Sequence, residues 1–554
     1  MNDLVAEGPA DAVSGAEMMA NLREMARWVK LSGTAEELEA FRFLEARMRD
    51  YGYQVQLLSH DAYISLPGAG GVTVDGRVLK AITHSFSQPS TGLSGVPAYV
   101  RAGSEADFAG RDLRGRILLI EGMATPATAE RAHRAGAAGQ LHISHHEHLH
   151  EMCLSWVWGN PAEKFLGQMP STVACTVSAA DGGAIRDALA RGEQPMVTLT
   201  AQVDTGWRKT PLLVAELPAA QADGPFILMS GHYDTWHFGV MDNGSANAGM
   251  MEAARVLAAR RGAWRRGLRL CFWSGHSHGR YSGSTWYADR NHDELAARCA
   301  AHVNVDSLGG IGASELAHAA AMVSLRGVAA RAVDAETNTP HVGSRKARNS
   351  DESFGGIGIP SMFGAISEQP DAPARARNKL GWWWHTPHDL LDKVDEANLV
   401  RDTRVLVHAC WSLLTDAVLP LDHAATAETL LAELTPLAAK LGDRFPVAGL
   451  VTLAERVRDA ARAVAAGTGD PVAASAALMR ASRALVPVDY NDGQVFSHPP
   501  ALPLPEWSAL QPIRDLAAAE PGSDVARFRE VEAWRARNRL AAALREALAA
   551  LDAA

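Results

Sequence analysis

One pattern limits the folds open to this chain more than any other: from residue 225 onward, short apolar segments alternate with polar loops and helical segments. The sequence predicts strands over 226–229, 268–273, 302–306 and 359–363, and helices over 246–260 and 284–290. Parallel neighbours in a sheet need crossover connections, which are usually helices, so this alternation is typical of an α/β domain. We therefore predict a mostly parallel or mixed sheet flanked by helices.

Outside this region the apolar residues follow other patterns, and the whole chain is predicted to form four structural units. Apolar residues at helical spacing predict helices over 1–60 that pack on the α/β domain, and apolar runs cut by Gly, Pro and Ser predict a β-rich module over 61–205. The α/β domain would occupy 206–420, and an Ala-, Leu- and Arg-rich segment with helical periodicity would form a helical domain over 421–554.

Charge and cysteine content exclude several classes of protein. The chain has 53 Lys and Arg against 63 Asp and Glu, a formal net charge of −10, which argues against a nucleic-acid-binding surface. It has no run of about 18 uncharged apolar residues, and residues 1–15 lack the apolar segment of a secretory signal. Five scattered cysteines without a Cys-x-x-Cys pair are typical of reduced thiols. We therefore expect a cytoplasmic protein without nucleic-acid or membrane partners.

Histidine and aspartate recur at the places where the predicted strands end. The segments concerned are 231–235, 240–244, 274–279, 304–307 and 384–389. In an open α/β sheet, ligands bind outside the carboxyl ends of the strands, so loops from several strands converge on one crevice. Imidazole and carboxylate are the ligands that borderline and hard divalent cations take, and the sequence therefore predicts a metal site at this edge.

On these segments the chain resembles the co-catalytic zinc metallopeptidases that include aminopeptidase S, glutamate carboxypeptidase II and the transferrin receptor. The resemblance rests on GHYDTWHFGVMDNGSANAG at 231–249, NVDSLGG at 304–310, SDESFGGIGIPSM at 350–362 and WHTPHDLLDKVD at 384–395. It implies a zinc-exopeptidase-like fold, a protease-associated domain over 61–205 and a dimerisation-type helical domain at the C-terminus.

The resemblance also implies roles for individual residues. His232 and Asp306 would bind a first metal, Asp242 would bridge to a second, and His385 would be a ligand of that second metal. Asp234 would hydrogen-bond the His232 imidazole and fix its tautomer, as groups beside metal-bound histidines do. The expected cofactor is a divalent metal, zinc in the first instance, with one or two ions.

The chain departs from the family pattern after the strand that ends at Trp273. The family carries two adjacent glutamates there, a general base and a metal ligand, whereas residues 274–284 contain no glutamate. Aligned on Trp273, His276 takes the base position and Ser277 the ligand position. Aligned on Gly283-Ser284, Ser277 is the base and His278 the ligand. We prefer the first alignment, because the strand that precedes the loop sets its geometry.

Two lost carboxylates weaken the binding of a second dication, while a neutral histidine can still bind metal or take a proton near pH 7. We therefore expect a metal-dependent hydrolase that cleaves an amide bond of a small molecule or short peptide, with a metal-activated water as nucleophile and His276 as base. Two alternatives stay open: another metal-dependent reaction on a small amide or a metal-chelating metabolite, and an inert binding protein on the same fold.

Three further residues are candidates for contact with the substrate. His237 lies between two predicted ligands in sequence, and Arg348 and Asp351 lie in the pocket-like segment, where an arginine can hold a carboxylate by a bidentate pair. The stretch 142–151 is rich in histidine, but its spacing fits no standard closed zinc site. One or two of its histidines are expected to touch the substrate if this module covers the cleft.

The C-terminal segment predicts assembly. An apolar helical stripe contains Phe528, Val531, Leu540, Leu544, Leu548 and Leu551. A stripe this long needs a partner, either the rest of the chain or a second subunit, and the resemblance to the carboxypeptidase branch favours a two-fold homodimer.

Overall fold

The computed structural model describes residues 8–221, 223–370, 379–467, 469–492 and 494–554, so the first seven residues of the predicted N-terminal unit lie outside the described part. The strands are β1 (Gln54–Val74), β2 (Arg77–Leu79), β3 (Ala81–Thr83), β4 (Ser90–Gly95), β5 (Ala98–Tyr99), β6 (Ile117–Glu121), β7 (Gly139–Ile143), β8 (Val173–Val177), β9 (Val197–Leu217), β10 (Phe226–His232), β11 (Gly267–Trp273), β12 (Cys299–Val305), β13 (Ala320–Ala321), β14 (Ser344–Arg345) and β15 (Ser361–Gly364). The α-helices are α1 (Gly15–Met25), α2 (Ala35–Asp50), α3 (Glu105–Phe108), α4 (Pro126–Arg134), α5 (Ala179–Ala190), α6 (Ala246–Ala258), α7 (Ser282–Arg290), α8 (His292–Arg298), α9 (Arg326–Asp334), α10 (Glu396–Thr415), α11 (His423–Leu441), α12 (Ala448–Ala466), α13 (Pro471–Tyr490), α14 (Gln511–Ala518) and α15 (Asp524–Asp552).

The larger of two sheets has the strand order β14-β13-β15-β12-β10-β11-β9-β1-β2, with β4 also paired to β9. Strand β10 lies between β11 and β12 and runs parallel to both. The carboxyl ends of these three strands therefore meet at one edge, and the next two strands of the chain lie on opposite sides of β10. This arrangement confirms the predicted α/β fold with a mixed sheet flanked by helices.

The central strands are buried on both faces, which explains their continuous apolar sequence. Every residue of β10, β11 and β12 is buried. One face packs in a core with residues of α1, α6 and α10, and the other packs with residues of α7 and α8. Burial on both faces leaves only the strand ends open to polar chemistry.

The smaller sheet, with the strand order β3-β8-β7-β6-β5, contains the middle of the predicted β-rich module. Strands β1 and β9 form a long antiparallel pair, from Gln54–Glu216 at one end to Val74–Val197 at the other. This pair runs continuously through the predicted unit boundaries at 60/61 and 205/206. Those boundaries therefore carry no linker, since backbone pairing continues across them.

The predicted apolar stripe of the C-terminal segment divides into two parts on α15. Leu540, Leu544, Leu548 and Leu551 are buried in the core of their own chain. Phe528 and Val531 are 76% and 52% exposed, beside the exposed Val525 and Trp534. Of the two partners that the sequence allows for this stripe, the chain's own helices cover its second half, and its first half is exposed.

Two further observations bear on the sequence-based expectations. All five cysteines are free and buried. Among the described helices, none combines the length and the hydropathy that crossing a bilayer requires.

Two buried histidines of the smaller sheet make its stability depend on pH. Burial lowers the pKa of His142 to about 4 and the pKa of His84 to about 3. Above about pH 6.5 neither the folded nor the unfolded chain protonates them, so they have no effect there. Below it the unfolded chain binds more protons, and the free energy of unfolding should fall by about 1.4 kcal/mol per pH unit for each histidine that stays neutral.

Urea unfolding of wild type and of His142→Gln at about pH 7 and about pH 5 tests this. Glutamine can replace the hydrogen bonds to Gly122 O and Gln140 but does not titrate. The variant should therefore lose less stability on acidification than wild type. Equal losses in the two proteins would contradict the assignment.

Candidate metal centre

Four residues predicted as metal ligands come together where β10 and β12 end. His232 is the last residue of β10, Asp306 follows β12, Asp242 lies in the turn before α6, and His385 comes from the loop before α10. His232 Nε2 lies 3.2 Å from Asp242 Oδ1 and 3.8 Å from Asp306 Oδ1. His385 Nε2 lies 3.1 Å from Asp242 Oδ2.

The turn that carries Asp242 is fixed from both sides. The Asp389 carboxylate accepts hydrogen bonds from the backbone N–H groups of Met241 and Asp242 at 2.8 and 2.9 Å. Burial raises the pKa of Asp389 to about 8. Gly239 has φ 51°, and a Cβ there would lie 2.3 Å from Asp242 O, so only glycine fits this turn.

Both imidazoles are oriented by backbone carbonyls. Nδ1 of His232 donates to Asp234 O at 2.8 Å, and Nδ1 of His385 donates to Glu151 O at 2.6 Å. Each ring therefore presents Nε2 to a carboxylate oxygen of Asp242. Only a cation between nitrogen and oxygen, a proton or a metal ion, makes this approach favourable, and imidazole and carboxylate are ligands that zinc takes.

The two histidines of this centre differ in the number of carboxylates near their Nε2 atoms. Two carboxylates, those of Asp242 and Asp306, lie within 4.0 Å of His232 Nε2, whereas among the described residues His385 Nε2 has one carboxylate within this distance, that of Asp242. Burial opposes the charged form of His232, yet the carboxylates of Asp242 and Asp306 raise its pKa well above the ordinary value. Burial lowers the pKa of His385. The half around His232 therefore attracts positive charge more strongly.

Asp234 differs from the predicted role in one respect. Its backbone carbonyl, not its carboxylate, accepts the His232 Nδ1 proton; carboxylate Oδ1 is 3.8 Å away. The carboxylate instead accepts from the backbone N–H groups of His276 and Ser277 at 3.3 and 2.9 Å and from the Ser32 hydroxyl at 2.8 Å. A fully buried carboxylate needs such donors, and here they fix the loop that carries His276.

His276 lies directly over the centre. Its ring stacks on His232 with centroids 3.7 Å apart and planes 11° from parallel. One ligand atom each from His232, His276 and Asp306 lie within 4.8 Å of one another. Ser277 and His278 are the other candidates for the roles of the two missing glutamates. Among the described residues, Ser277 Oγ and His278 Nε2 are buried and have no hydrogen-bond partner, while His278 Nδ1 lies 3.0 Å from the Ser32 hydroxyl.

The structure gives Asp351 a different role from the predicted contact with substrate. Its Oδ2 lies 2.7 Å from His276 Nδ1, and its Oδ1 accepts from the Ser284 hydroxyl at 2.7 Å. The carboxylate is buried and faces inward, because these donors compensate for its lost hydration. Asp351 therefore orients His276 and leaves Nε2 of that ring available.

Arg348 and His237, the other two residues predicted to contact substrate, both have protein partners. The Arg348 guanidinium donates to Pro499 O and Pro500 O at 3.0 Å each and lies 4.3 Å over the Trp158 ring. Its partners are thus carbonyls and an indole, and burial lowers its pKa to about 10. His237 Nε2 lies 3.6 Å from Glu151 Oε1, and burial lowers the pKa of His237 to about 4.

Sequence reasoning missed the role of Glu151. Its backbone forms a two-way pair with His385, since Glu151 N donates to His385 O at 3.0 Å while Glu151 O accepts from His385 Nδ1. Burial raises the pKa of its carboxyl to about 7. Glu151 is the last residue of the histidine-rich stretch 142–151. No sequence pattern indicates its contact with His385, because this contact depends on how the smaller sheet packs against the larger one.

Left-handed backbone is concentrated around the centre. The non-glycine residues with positive φ include His237, Ser307, Ser350, Asp351 and His385, at 49°, 49°, 48°, 68° and 57°. L-amino acids rarely adopt this conformation, and clusters of it typically occur at functional sites.

Comparison with known proteins points to one family. Residues 213–410 match the model of Peptidase family M28. A probable glutamate carboxypeptidase from Zea mays is 23% identical over 359 residues, covering 53% of this chain and 50% of that protein. Another from Arabidopsis thaliana is 21% identical over 365 residues, covering 53% of this chain and 51% of that protein. The chain thus spans about half the length of these curated relatives.

Solved structures share the fold. The aminopeptidase from Aneurinibacillus sp. strain AM-1 superposes with a TM-score of 0.56 at 20% identity, covering 73% of this chain and 95% of that one. The Peptidase M28 precursor from Shewanella amazonensis SB2B gives a TM-score of 0.58 at 19% identity, covering 73% and 95% of the two chains.

Zinc should stabilise the folded protein, because it binds the assembled centre and not the unfolded chain. At free zinc about 100 times Kd, the expected gain is about 2.7 kcal/mol, seen as a higher Tm in differential scanning fluorimetry of protein stripped with chelator. Asp306→Asn should abolish most of the shift. The exposed Asp443→Asn is the matched control and should keep it. A shift of equal size in D306N would contradict this ligand assignment.

Proposed function

We propose that this protein, whose residues 213–410 match the model of Peptidase family M28, is a metal-dependent hydrolase of amide bonds in short peptides or peptide-like molecules, with zinc as its metal. The observation that carries the proposal is the buried Asp242 carboxylate, with each oxygen facing the Nε2 of a different histidine. Such a site does not stabilise the fold by packing, since burying a charge without a counter-ion costs free energy.

The two halves of the centre would bind metal with different affinity. His232, Asp242 and Asp306 supply the three protein ligands usual for catalytic zinc, whereas the half built from Asp242 and His385 lacks a third. We therefore expect one tightly held ion per chain and a second that binds only at excess metal.

The stacking of His276 on His232 favours a base over a ligand at this position. The lone pairs of two imidazoles lie in their ring planes, and parallel planes 3.7 Å apart do not meet at one ion about 2 Å from each nitrogen. When bound, the metal would polarise the scissile carbonyl and acidify the attacking water. His276 Nε2 then accepts the proton of that water and returns it to the leaving nitrogen.

Asp351 makes this proton transfer possible by holding the ring. With Nδ1–H donating to Asp351 Oδ2, the base nitrogen is Nε2, and the carboxylate stabilises the imidazolium that forms. An acid–base pair of Asp351 and His276 would thus take the place of the glutamate base that the resembling peptidases carry.

His276→Ala should lower turnover by about 10²–10⁴-fold while zinc content stays that of wild type, because a general base contributes about this much. Aminoacyl, acyl-amino-acid and dipeptide substrates are screened first, and zinc is then measured by mass spectrometry in the same samples. Loss of zinc along with activity would make His276 a ligand. Full activity with full zinc would remove it from both roles and favour His278.

We also propose that the module around the smaller sheet is a protease-associated domain that completes the cleft. The support is the two hydrogen bonds between the Glu151 backbone and His385, one to the His385 carbonyl and one from its ring, through which the module would orient a metal ligand. Substrate entering between this module and the strand ends would meet Glu151 and His237.

A homodimer is our proposal for assembly. Its support is the run of exposed apolar residues in the first half of α15, where Val525, Phe528, Val531 and Trp534 each neighbour the next on the helix surface. A second copy would cover these residues in an interface of more than about 1,000 Å². Light scattering at micromolar concentration should give twice the chain mass, and Phe528→Glu should give the monomer. Val472→Glu, equally exposed on α13, is the control. A clean monomer mass for wild type contradicts the dimer.

A further inference from the structure

A series of hydrogen bonds connects a tryptophan of the module around the smaller sheet with His276. Trp158, in the segment between β7 and β8, donates its indole N–H to Ser353 Oγ at 3.0 Å, and Ser353 Oγ lies 2.9 Å from Ser284 Oγ. The Ser284 hydroxyl donates to Asp351 Oδ1 at 2.7 Å, and Asp351 Oδ2 lies 2.7 Å from His276 Nδ1. The proposed acid–base pair of Asp351 and His276 is therefore one end of a longer series that begins outside the α/β domain.

The two ends of this series set the direction of its donors. An indole nitrogen only donates, so Ser353 Oγ accepts from Trp158 and turns its own proton elsewhere. The nearer of the two hydroxyl oxygens beside it is that of Ser284, at 2.9 Å against 3.3 Å for Thr285 Oγ1. Ser353 therefore donates to Ser284, and Ser284 donates to Asp351, because an ionised carboxylate only accepts. Hydrogen bonds aligned in this way polarise and strengthen one another.

The series is shielded from water, because Trp158, Ser353, Ser284 and Asp351 are all buried. A buried carboxylate needs donors that compensate for its lost hydration. Among the described residues, the donors to the two oxygens of Asp351 are the Ser284 hydroxyl on Oδ1 and His276 Nδ1 on Oδ2. With the Ser284 proton on Oδ1, the carboxylate keeps Oδ2 turned to His276.

The local backbone brings Trp158 close to α7. Gly159 follows it with φ 69°, and a Cβ there would lie 2.6 Å from Thr285 Oγ1, so a side chain at this position would collide with the helix. Gly159 N donates to Arg280 O at 2.7 Å, and the Trp158 ring packs on Tyr281 with centroids 4.5 Å apart. Backbone and ring contacts thus fix Trp158 where its N–H reaches Ser353.

We infer that Trp158 is a positioning residue for the base His276 and acts through Ser353, Ser284 and Asp351. The series keeps the Asp351 carboxylate turned to His276 Nδ1, which leaves Nε2 as the base nitrogen. The module around the smaller sheet then takes part in proton transfer as well as in forming the cleft. The inference rests on the proposed function for the part that His276 plays, whereas the series itself rests on the distances between its members.

Kinetics should separate this role from substrate binding. Ser284→Ala should lower kcat about tenfold or more and leave KM near that of wild type, because it removes a hydrogen bond to a charged group that acts on proton transfer. Trp158→Phe should lower kcat less, about threefold to tenfold, because the bond that it removes joins neutral groups and lies further from the base. Turnover is measured on the full chain with zinc and the best substrate of the amide screen.

Two control variants exclude a general effect of destabilisation. Ser482→Ala removes an equally buried hydroxyl, which lies 3.0 Å from Nε2 of the buried His423 in the helical domain. Trp156→Phe shortens a tryptophan that is 3% exposed, against 4% for Trp158, and takes no part in the series. Circular dichroism and Tm establish that each variant is folded. Both controls should keep the kcat of wild type, and losses equal to those of Ser284→Ala and Trp158→Phe would overturn the inference.

The double variant Trp158→Phe/Ser284→Ala tests whether the two residues act in one series. It should be about as slow as Ser284→Ala alone, because the second substitution interrupts a series that is already broken. A loss of kcat equal to the product of the two single losses would mean that the residues act independently and would overturn the inference.

Crystal structures test the positioning without turnover. In wild type and in Ser482→Ala, the His276 ring and the Asp351 carboxylate should each have one conformer. In Ser284→Ala they should have more than one, because the carboxylate then has one donor for two oxygens. An unchanged single conformer in both Ser284→Ala and Trp158→Phe would overturn the inference. Altered conformers in a protein that hydrolyses no amide would contradict the proposed function and leave the positioning of His276 intact.

Discussion

The metal centre depends on one buried carboxylate, that of Asp242, which faces two imidazoles at 3.2 and 3.1 Å. A carboxylate in such surroundings is unfavourable by itself, so the fold around it is arranged to keep it there. Asp389 fixes the backbone of its turn, Gly239 allows the turn to close, and two backbone carbonyls determine which nitrogen each histidine presents. One of those carbonyls, Glu151 O, belongs to the module around the smaller sheet, so the centre is complete only when both sheets are folded against each other.

Charge is distributed differently here from the peptidases that the chain resembles. The loop after β11 carries His276, Ser277, His278 and Arg280 where those proteins carry two glutamates. His276 takes its orientation from Asp351, and Arg280 lines a neighbouring cavity. This one loop therefore changes both the charge beside the centre and the residue that faces His232 from above.

The sequence predicted the sheet well, because the sheet depends on local signals. Strands such as β10 and β12 are buried on both faces and read as unbroken apolar runs, and parallel strands necessarily bring residues like His232 and Asp306 to one edge. Other features depend on packing between distant segments. Asp351 turns inward to His276, Asp234 uses its carbonyl, and Glu151 pairs with His385 across the two sheets, and none of these contacts has a sequence period or motif. The long pairing of β1 with β9 likewise joins segments that lie far apart in the sequence.

The central claim is that Asp242, His232 and Asp306 hold a metal ion. Anomalous diffraction from crystals grown with zinc, collected on both sides of the zinc absorption edge, tests it most directly. The account predicts a peak about 2.0–2.2 Å from His232 Nε2 and from a carboxylate oxygen of both aspartates, with a weaker peak or none beside His385. Zinc bound elsewhere, for example among the histidines of 142–151, with no peak between these three side chains, would contradict it.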